Sequence, residues 1–350
     1  MSQADQSFVF PVSFAQQRLW FLHQLAPDTP SYNCGGALRL HAAIDPNLLR
    51  RSVNEIIRRH EVLRTTFQVI EGRPVQVVSG VLEIELPVID LSDSPLPRAK
   101  IESLVAEEVR RPFDLTSGPL LRVTLMVAGP SDAIIILAMH HIISDAWSMQ
   151  VFVREMTVLY RAFARGEASP LPELAIQYAD YAAWQRRWLE GIEERQLAYW
   201  RRQLAEVPTL ELEKDYLRPV VPSYRGARYR FDIGDDATRR LYGLCTAEGA
   251  TVFMGLLAVF ATLLHRHTGQ DEVVIGVPVA GRNRPELINL IGFFVNLLVV
   301  RLDFTGDPHF RTILGRVRQT ALDAFDHQDV PFERIVEDLK PVRDTARHPL

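Results

Sequence analysis

An uninterrupted apolar run, Ala133-Ile134-Ile135-Ile136-Leu137-Ala138-Met139, ends in two adjacent histidines, His140 and His141. A carboxylate, Asp145, follows four residues after the second. The run is entered from the turn-like Gly129-Pro130-Ser131-Asp132, and its composition and length read as a buried strand. Beyond Asp145, apolar residues recur at helical spacing through Trp147, Val151, Phe152, Met156, Leu159, Tyr160 and Phe163, and the pattern stops before Gly166. The histidines therefore leave a buried strand just ahead of a helix, where titratable groups can meet a substrate.

The flanking chain alternates strands and helices. A strand is expected over 36–41, then a helix to about Arg59 opened by Asp45 as cap and Pro46 at the first helical position. Residues 64–70 and 74–78 form a hairpin across Glu71-Gly72-Arg73. A helix over 98–111 precedes the strand pair 121–127 and 133–139. Residues 166–173, with Pro170 and Pro172, read as a linker, followed by a Trp- and Arg-rich helix from Tyr178 to about Leu204. Thr251 then caps an apolar helix to about His265, with strands at 272–279 and 294–302, a helix over 310–325 and a short one begun by Asp329-Val330-Pro331. The order suggests two α/β lobes, one over 1–170 and one over 171–350.

With 350 residues, 47% hydrophobic, the chain can bury one large core or two medium ones. A net charge of -4 gives no reason to invoke nucleic acid. Arg50, Arg51, Arg58 and Arg59 cluster on one helix and read as a solvated face, with a docking patch for an acidic partner as the alternative. Two distant cysteines, Cys34 and Cys245, suggest neither a disulfide scaffold nor a zinc site. No run approaches membrane-spanning length, and no secretory signal opens the chain, so a cytoplasmic setting is expected.

A histidine titrates near pH 6.5 and can exchange a proton at neutral pH. Successive residues of a strand face opposite ways, so His140 and His141 cannot both address one substrate atom. Asp145 either pairs with an arginine or caps the helix that follows it. Read alone, the pattern equally fits two core histidines with a capping aspartate. Metal binding is not expected, since no set of ligands has the spacing for it. There is no Gly-x-Ser-x-Gly and no reactive-cysteine signature, which favours general-base or positional catalysis over a covalent intermediate.

Further motifs stand in order along the chain: Ser13-Phe14-Ala15-Gln16-Gln17-Arg18-Leu19-Trp20, Arg59-His60-Glu61-Val62-Leu63-Arg64-Thr65-Thr66-Phe67 and Tyr178-Ala179-Asp180-Tyr181-Ala182-Ala183-Trp184. Then come Ile291-Gly292-Phe293-Phe294-Val295-Asn296-Leu297-Leu298-Val299-Val300-Arg301, His327-Gln328-Asp329-Val330-Pro331-Phe332-Glu333 and Arg343-Asp344-Thr345-Ala346-Arg347-His348-Pro349-Leu350. Together with the histidine segment, this series resembles the core motifs of condensation domains of nonribosomal peptide synthetases, over essentially the whole chain. The resemblance implies two lobes like chloramphenicol acetyltransferase in a V arrangement with a tunnel between them, the second lobe cut short at its C-terminus. It implies amide formation between a donor acyl or peptidyl thioester and an acceptor aminoacyl thioester. Both would ride on phosphopantetheine arms of carrier domains, with an adenylation domain as neighbour and no cofactor bound directly. The family domain is expected to be monomeric, with no membrane partner.

Carried over residue by residue, the resemblance places His141 beside the attacking amine, as base or as positioning group. His140 and Asp145 become scaffold. Asp145 is expected to pair with Arg282, from Val279-Ala280-Gly281-Arg282 in the second lobe, which would tie the lobes together, with Arg64 in the first lobe as the competing partner. Ala146, Trp147, Ser148 and Asn296 are expected along the tunnel. Trp20, Phe67, Tyr181 and Trp184 are expected to pack, and His60 and His327 to be structural. Where the family has glycine after the aspartate, this chain has Ala146. Alanine would be strained if the position needs a left-handed backbone, and would narrow the channel if glycine only leaves room. The wording of the first and histidine motifs looks most like domains joining an L-donor to an L-acceptor. A starter domain taking a fatty acyl donor, a coenzyme A-dependent acyltransferase and a fold-retaining scaffold domain are the rivals.

Overall fold

The computed structural model describes residues 7–92, 98–216, 226–227 and 229–341, so the motif over 343–350 lies outside the described residues. The fold is mixed α/β, and the described residues divide into two compact units. One takes Met1–Trp188 together with Ala280–Val295, and the other takes Leu189–Val279 together with Asn296–Leu350.

In the first unit the order is β1 (Ser7–Pro11), α1 (Phe14–Leu25), β2 (Asn33–Leu40), α2 (Pro46–Arg59), β3 (Thr65–Ile70), β4 (Arg73–Ser79), β5 (Val88–Asp90), α3 (Arg98–Arg110), β6 (Leu121–Gly129), β7 (Asp132–His140) and α4 (Ala146–Ala164). One sheet runs β2-β7-β6-β5, with β7 antiparallel to both neighbours. The position of β7 explains its apolar run. Ile135, Leu137 and Met139 enter the main core, whereas Ile134 and Ile136 face a smaller cluster with Met126, Leu104, Val105 and Val109. A strand covered on both faces cannot alternate apolar with polar. Each such side chain contributes about 1.5–3 kcal/mol of burial. A second sheet runs β1-β4-β3, its β3–β4 hairpin closed by Glu71 and Gly72, both at positive φ.

The cap assignments hold at atomic detail. Asp45 accepts from the Asn47 and Leu48 amides at the start of α2. Arg59, expected on a solvated face, is instead buried. It pairs with Glu155 of α4 at 3.2 Å, a partner too distant in sequence for helix spacing to reveal.

Helix α5 (Tyr178–Gln203) precedes α6 (Asp235–Ala247), α7 (Val252–Thr268), β8 (Glu272–Val279), β9 (Asn296–Asp303), α8 (Phe310–Asp326) and α9 (Phe332–Leu339). In the second unit β8 and β9 pair antiparallel from Glu272↔Asp303 to Val279↔Asn296, and α7 and α8 supply their core. Thr251 caps α7 by accepting from the Met254 amide. Short β1 and β5 and the largely exposed α6 have no counterpart in the sequence expectations. Among the described residues no single helix is long and apolar enough to cross a membrane.

Candidate active site

β7 ends at His140, and a single 3-10 turn, His141–Ile143, carries the chain into α4. His140 is buried, and its Nδ1 accepts from the Ile142 amide at 3.1 Å. Its ring is surrounded by those of His23, Tyr32 and Phe113. Burial, with His23 and His141 adding to it, pushes its pKa down to about 3, so the ring is neutral across the physiological range. His141 turns the other way and is half-buried. Its Nδ1 lies 2.7 Å from the Ser144 carbonyl, and its ring packs 4.9 Å from that of Phe293. A carbonyl only accepts, so Nδ1 carries the proton and the Nε2 lone pair is left for another partner. The strand alternation thus separates one scaffold histidine from one presented histidine.

Asp145 performs both tasks considered for it. It caps α4 by accepting from the Ser148 amide at 2.7 Å, and it pairs with Arg282 at 3.2 Å, the two side chains 1% and 2% exposed. Its other oxygen accepts from the Phe294 amide at 3.2 Å. That bond explains why β9 begins at Asn296 rather than at Phe294: the Phe294 amide is already committed. Arg282 also donates to the Leu287 and Leu290 carbonyls. Burial pushes the guanidinium pKa down and Asp145 opposes the shift. Arg282 lies within the same compact unit as Asp145, so the pair is internal to that unit.

Arg64 is engaged elsewhere. It donates to the Ile57, Arg58 and Ser79 carbonyls, closing the C-terminal end of α2. Ser148, expected along the channel, is fully buried and sits at the centre of the network. Its hydroxyl accepts from the Gly292 amide and from Arg282, and lies within bonding distance of Asp145 Oδ1 at 2.7 Å and the Gly292 carbonyl at 2.8 Å. Its single proton favours the charged oxygen. Trp147 is partly exposed and donates to the Ile288 carbonyl.

Ala146 is exposed and begins α4 with no positive φ, so the alanine is free of left-handed strain. Asn296 spends its amide on the backbone of its own unit. Nδ2 donates to the Gln328 and Val330 carbonyls, and Oδ1 accepts from the Leu297 and Phe332 amides.

Sequence reasoning missed the glycines and hydroxyls that hold 280–295 in place. Gly281 has φ +62, and a Cβ there would meet the Phe294 carbonyl at 2.0 Å. A Cβ on Gly292 would meet the Tyr178 ring at 2.0 Å. The Tyr178 hydroxyl donates to the Phe293 carbonyl at 2.7 Å and stands 2.9 Å from Ser13 Oγ. His60 Nδ1 accepts from the Ile291 amide, and its Nε2 faces Glu155 at 3.1 Å. Most of these residues lie within the sequence motifs, but a motif does not say which atom is used. Among the described residues no group of three or more His, Cys, Asp or Glu could hold a metal ion.

The family model of the condensation domain matches residues 6–350. A linear gramicidin synthase polypeptide of Brevibacillus parabrevis is 47% identical over 344 residues, which is 97% of this chain and 4% of the relative. Phosphinothricin tripeptide synthetase PhsB of Streptomyces viridochromogenes is 43% identical over 99% of this chain and 29% of its own length. The chain thus spans a small part of these relatives. Among solved structures, the complex of the X-domain and OxyB from teicoplanin biosynthesis matches with TM-score 0.88 and 29% identity, covering 100% of this chain and 78% of that one. The first condensation domain of the calcium-dependent antibiotic synthetase, in complex with a substrate analogue, matches with TM-score 0.80 and 25% identity, covering 95% and 77%.

Proposed function

Because the chain belongs to the condensation-domain family, we propose that it forms an amide bond between two thioesters carried on phosphopantetheine arms, as part of a nonribosomal peptide synthetase. Donor and acceptor carrier domains are its partners, with an adenylation domain as neighbour, and the arms arrive with the substrates. The acceptor amine attacks the donor thioester carbonyl. The new C–N bond forms as the C–S bond breaks, and the donor carrier thiol leaves.

His141 is the catalytic residue in this reading. The observation that carries it is the bond from Nδ1 to the Ser144 carbonyl, which leaves Nε2 with its lone pair on a half-buried ring. Nε2 takes the proton that the amine loses and can return it to the departing thiolate, which balances the step. Holding the amine at that nitrogen lowers the barrier as well. His140, Asp145 and Arg282 are positioning residues: they fix the turn on which His141 stands. Ala146 and Trp147, both solvent-accessible, flank the approach, while Ser148 and Asn296 support the backbone. Arg64 braces α2.

The wording of the first and histidine motifs supports an L-donor joined to an L-acceptor, with a fatty acyl starter donor as the competing substrate. Mass spectrometry of the amide product, with loaded donor and acceptor carrier domains, tests both. Aminoacyl donors should give product, and His141→Ala should lower the rate by about 10²–10⁴-fold. Ala146→Gly, which removes one exposed methyl group, should retain product. Product from a fatty acyl donor alone would make this a starter domain. No product from folded wild type with any donor would make it a scaffold.

A further inference from the structure

A groove of about 840 Å³ opens in the first unit, on the face of α2 opposite its buried side. Asn47, Arg50, Arg51, Asn54 and Arg58 form one wall at intervals of about one helical turn. The segment 80–83, Phe163 and Ser169 contribute to the rest of the lining. Four arginines, Arg64 among them, face two glutamates, Glu55 and Glu83. The charges differ in how far they are committed. Arg58 is bound to Glu55 and Glu173, and Arg64 to backbone carbonyls. Arg50 and Arg51 have no carboxylate partner among the described residues. Arg51 lies over the Phe163 ring at 3.9 Å, which leaves its N–H edges free. The Ser169 hydroxyl, shielded from solvent, has no hydrogen-bond partner among the described residues.

We propose that this groove docks an extended acidic segment of a partner polypeptide. From Asn47 to Arg58 the helix rises about 16 Å, the length of about five residues of extended chain. Arg50, Arg51 and Arg58 are spaced along that length of α2, a spacing that suits separated carboxylates better than a single phosphate. One of the groove's arginines already takes such a group: Glu173, on the irregular stretch before α5 and outside the groove lining, reaches Arg58 at 2.6 Å with its side chain 72% exposed. A docking segment repeats that contact at Arg50 and Arg51.

Fluorescence anisotropy with a fluorescein-labelled octapeptide of alternating glutamate and serine tests the proposal, and the readout is independent of amide formation. Binding should weaken steadily as ionic strength rises and the charges are screened. Arg50→Glu with Arg51→Glu should weaken it at least about tenfold, given the cost of juxtaposed like charges. Arg50→Gln with Arg51→Gln, a milder change, should weaken it less. Arg161→Glu, on exposed α4 surface outside the groove, should leave it unchanged. The proposal fails if the lysine-for-glutamate peptide binds equally well, or if both double variants bind like wild type. It also fails if inorganic phosphate displaces the peptide at concentrations where acetate does not, which would make the groove a phosphate site.

Discussion

Two regions solve the same problem, pinning one stretch of backbone against another, with opposite chemistry. At the end of β7, Asp145 and Arg282 do so with a buried charge pair joined by Ser148. At the start of β9, Asn296 does so with one neutral amide, taking two backbone carbonyls and two backbone amides. The geometry obtained is similar, but the dependence on partners is not. A half-buried amide that loses a contact can turn to water, whereas a carboxylate stripped of its guanidinium inside a closed core has no substitute. The charged solution is brittle, and the neutral one is tolerant.

The widest gap should appear on Arg282→Ala. It leaves Asp145 buried and unpaired and should cost about 3–5 kcal/mol in urea unfolding, with Asp145→Asn in the same background restoring part of the loss. A loss no larger than that of an exposed pair such as Arg39–Asp132 would break the contrast.

Acid probes the same region through His140. The unfolded ring takes up a proton below about pH 6.5, whereas the folded ring stays neutral down to about 3. Stability therefore falls as pH drops through that window, by about 1.4 kcal/mol per unit from this residue alone. His140→Asn, which keeps an acceptor for the Ile142 amide, should be less sensitive by about 2–3 kcal/mol at pH 4.5 relative to pH 7. Parallel pH profiles would rule His140 out as the source.

Asn296→Ala should cost less, about 1–2 kcal/mol, with the second unit still folded as judged by circular dichroism. A loss matching that of Arg282→Ala would show the amide bracket to be equally brittle. The smallest effect should come from Ala146→Gly at the first residue of α4. It should destabilise by about 0.5–1 kcal/mol, because no left-handed strain is relieved. A stabilised variant would mean that the alanine is strained after all.

Much of this was legible in the chain. The β7 run, the divergence of His140 and His141, the caps at Asp45 and Thr251 and the β3–β4 turn all follow from local rules, in which each residue is read with its near neighbours. What was not legible depends on partners far away in sequence. Arg282 was the expected partner of Asp145, but Arg64, closer in sequence, remained as its rival. The choice rests on the end of α2, whose free carbonyls hold Arg64. The burial of Arg59 rests on Glu155, and the start of β9 on an amide claimed by Asp145. Gly281 and Gly292 were visible as letters, but their need for closeness to Phe294 and Tyr178 was not.

The fastening of 291–294 restricts how this domain can be re-engineered. The segment is held by His60 at Ile291, Ser148 at Gly292, Tyr178 at Phe293 and Asp145 at Phe294, one attachment to each successive residue. Such a row works like the teeth of a zip fastener. Inserting or deleting one residue would throw every attachment beyond it out of step, so the loss would be cooperative and not graded. Grafts between related domains should therefore conserve the length of this stretch even where they change its side chains, and the safe places to cut lie outside it.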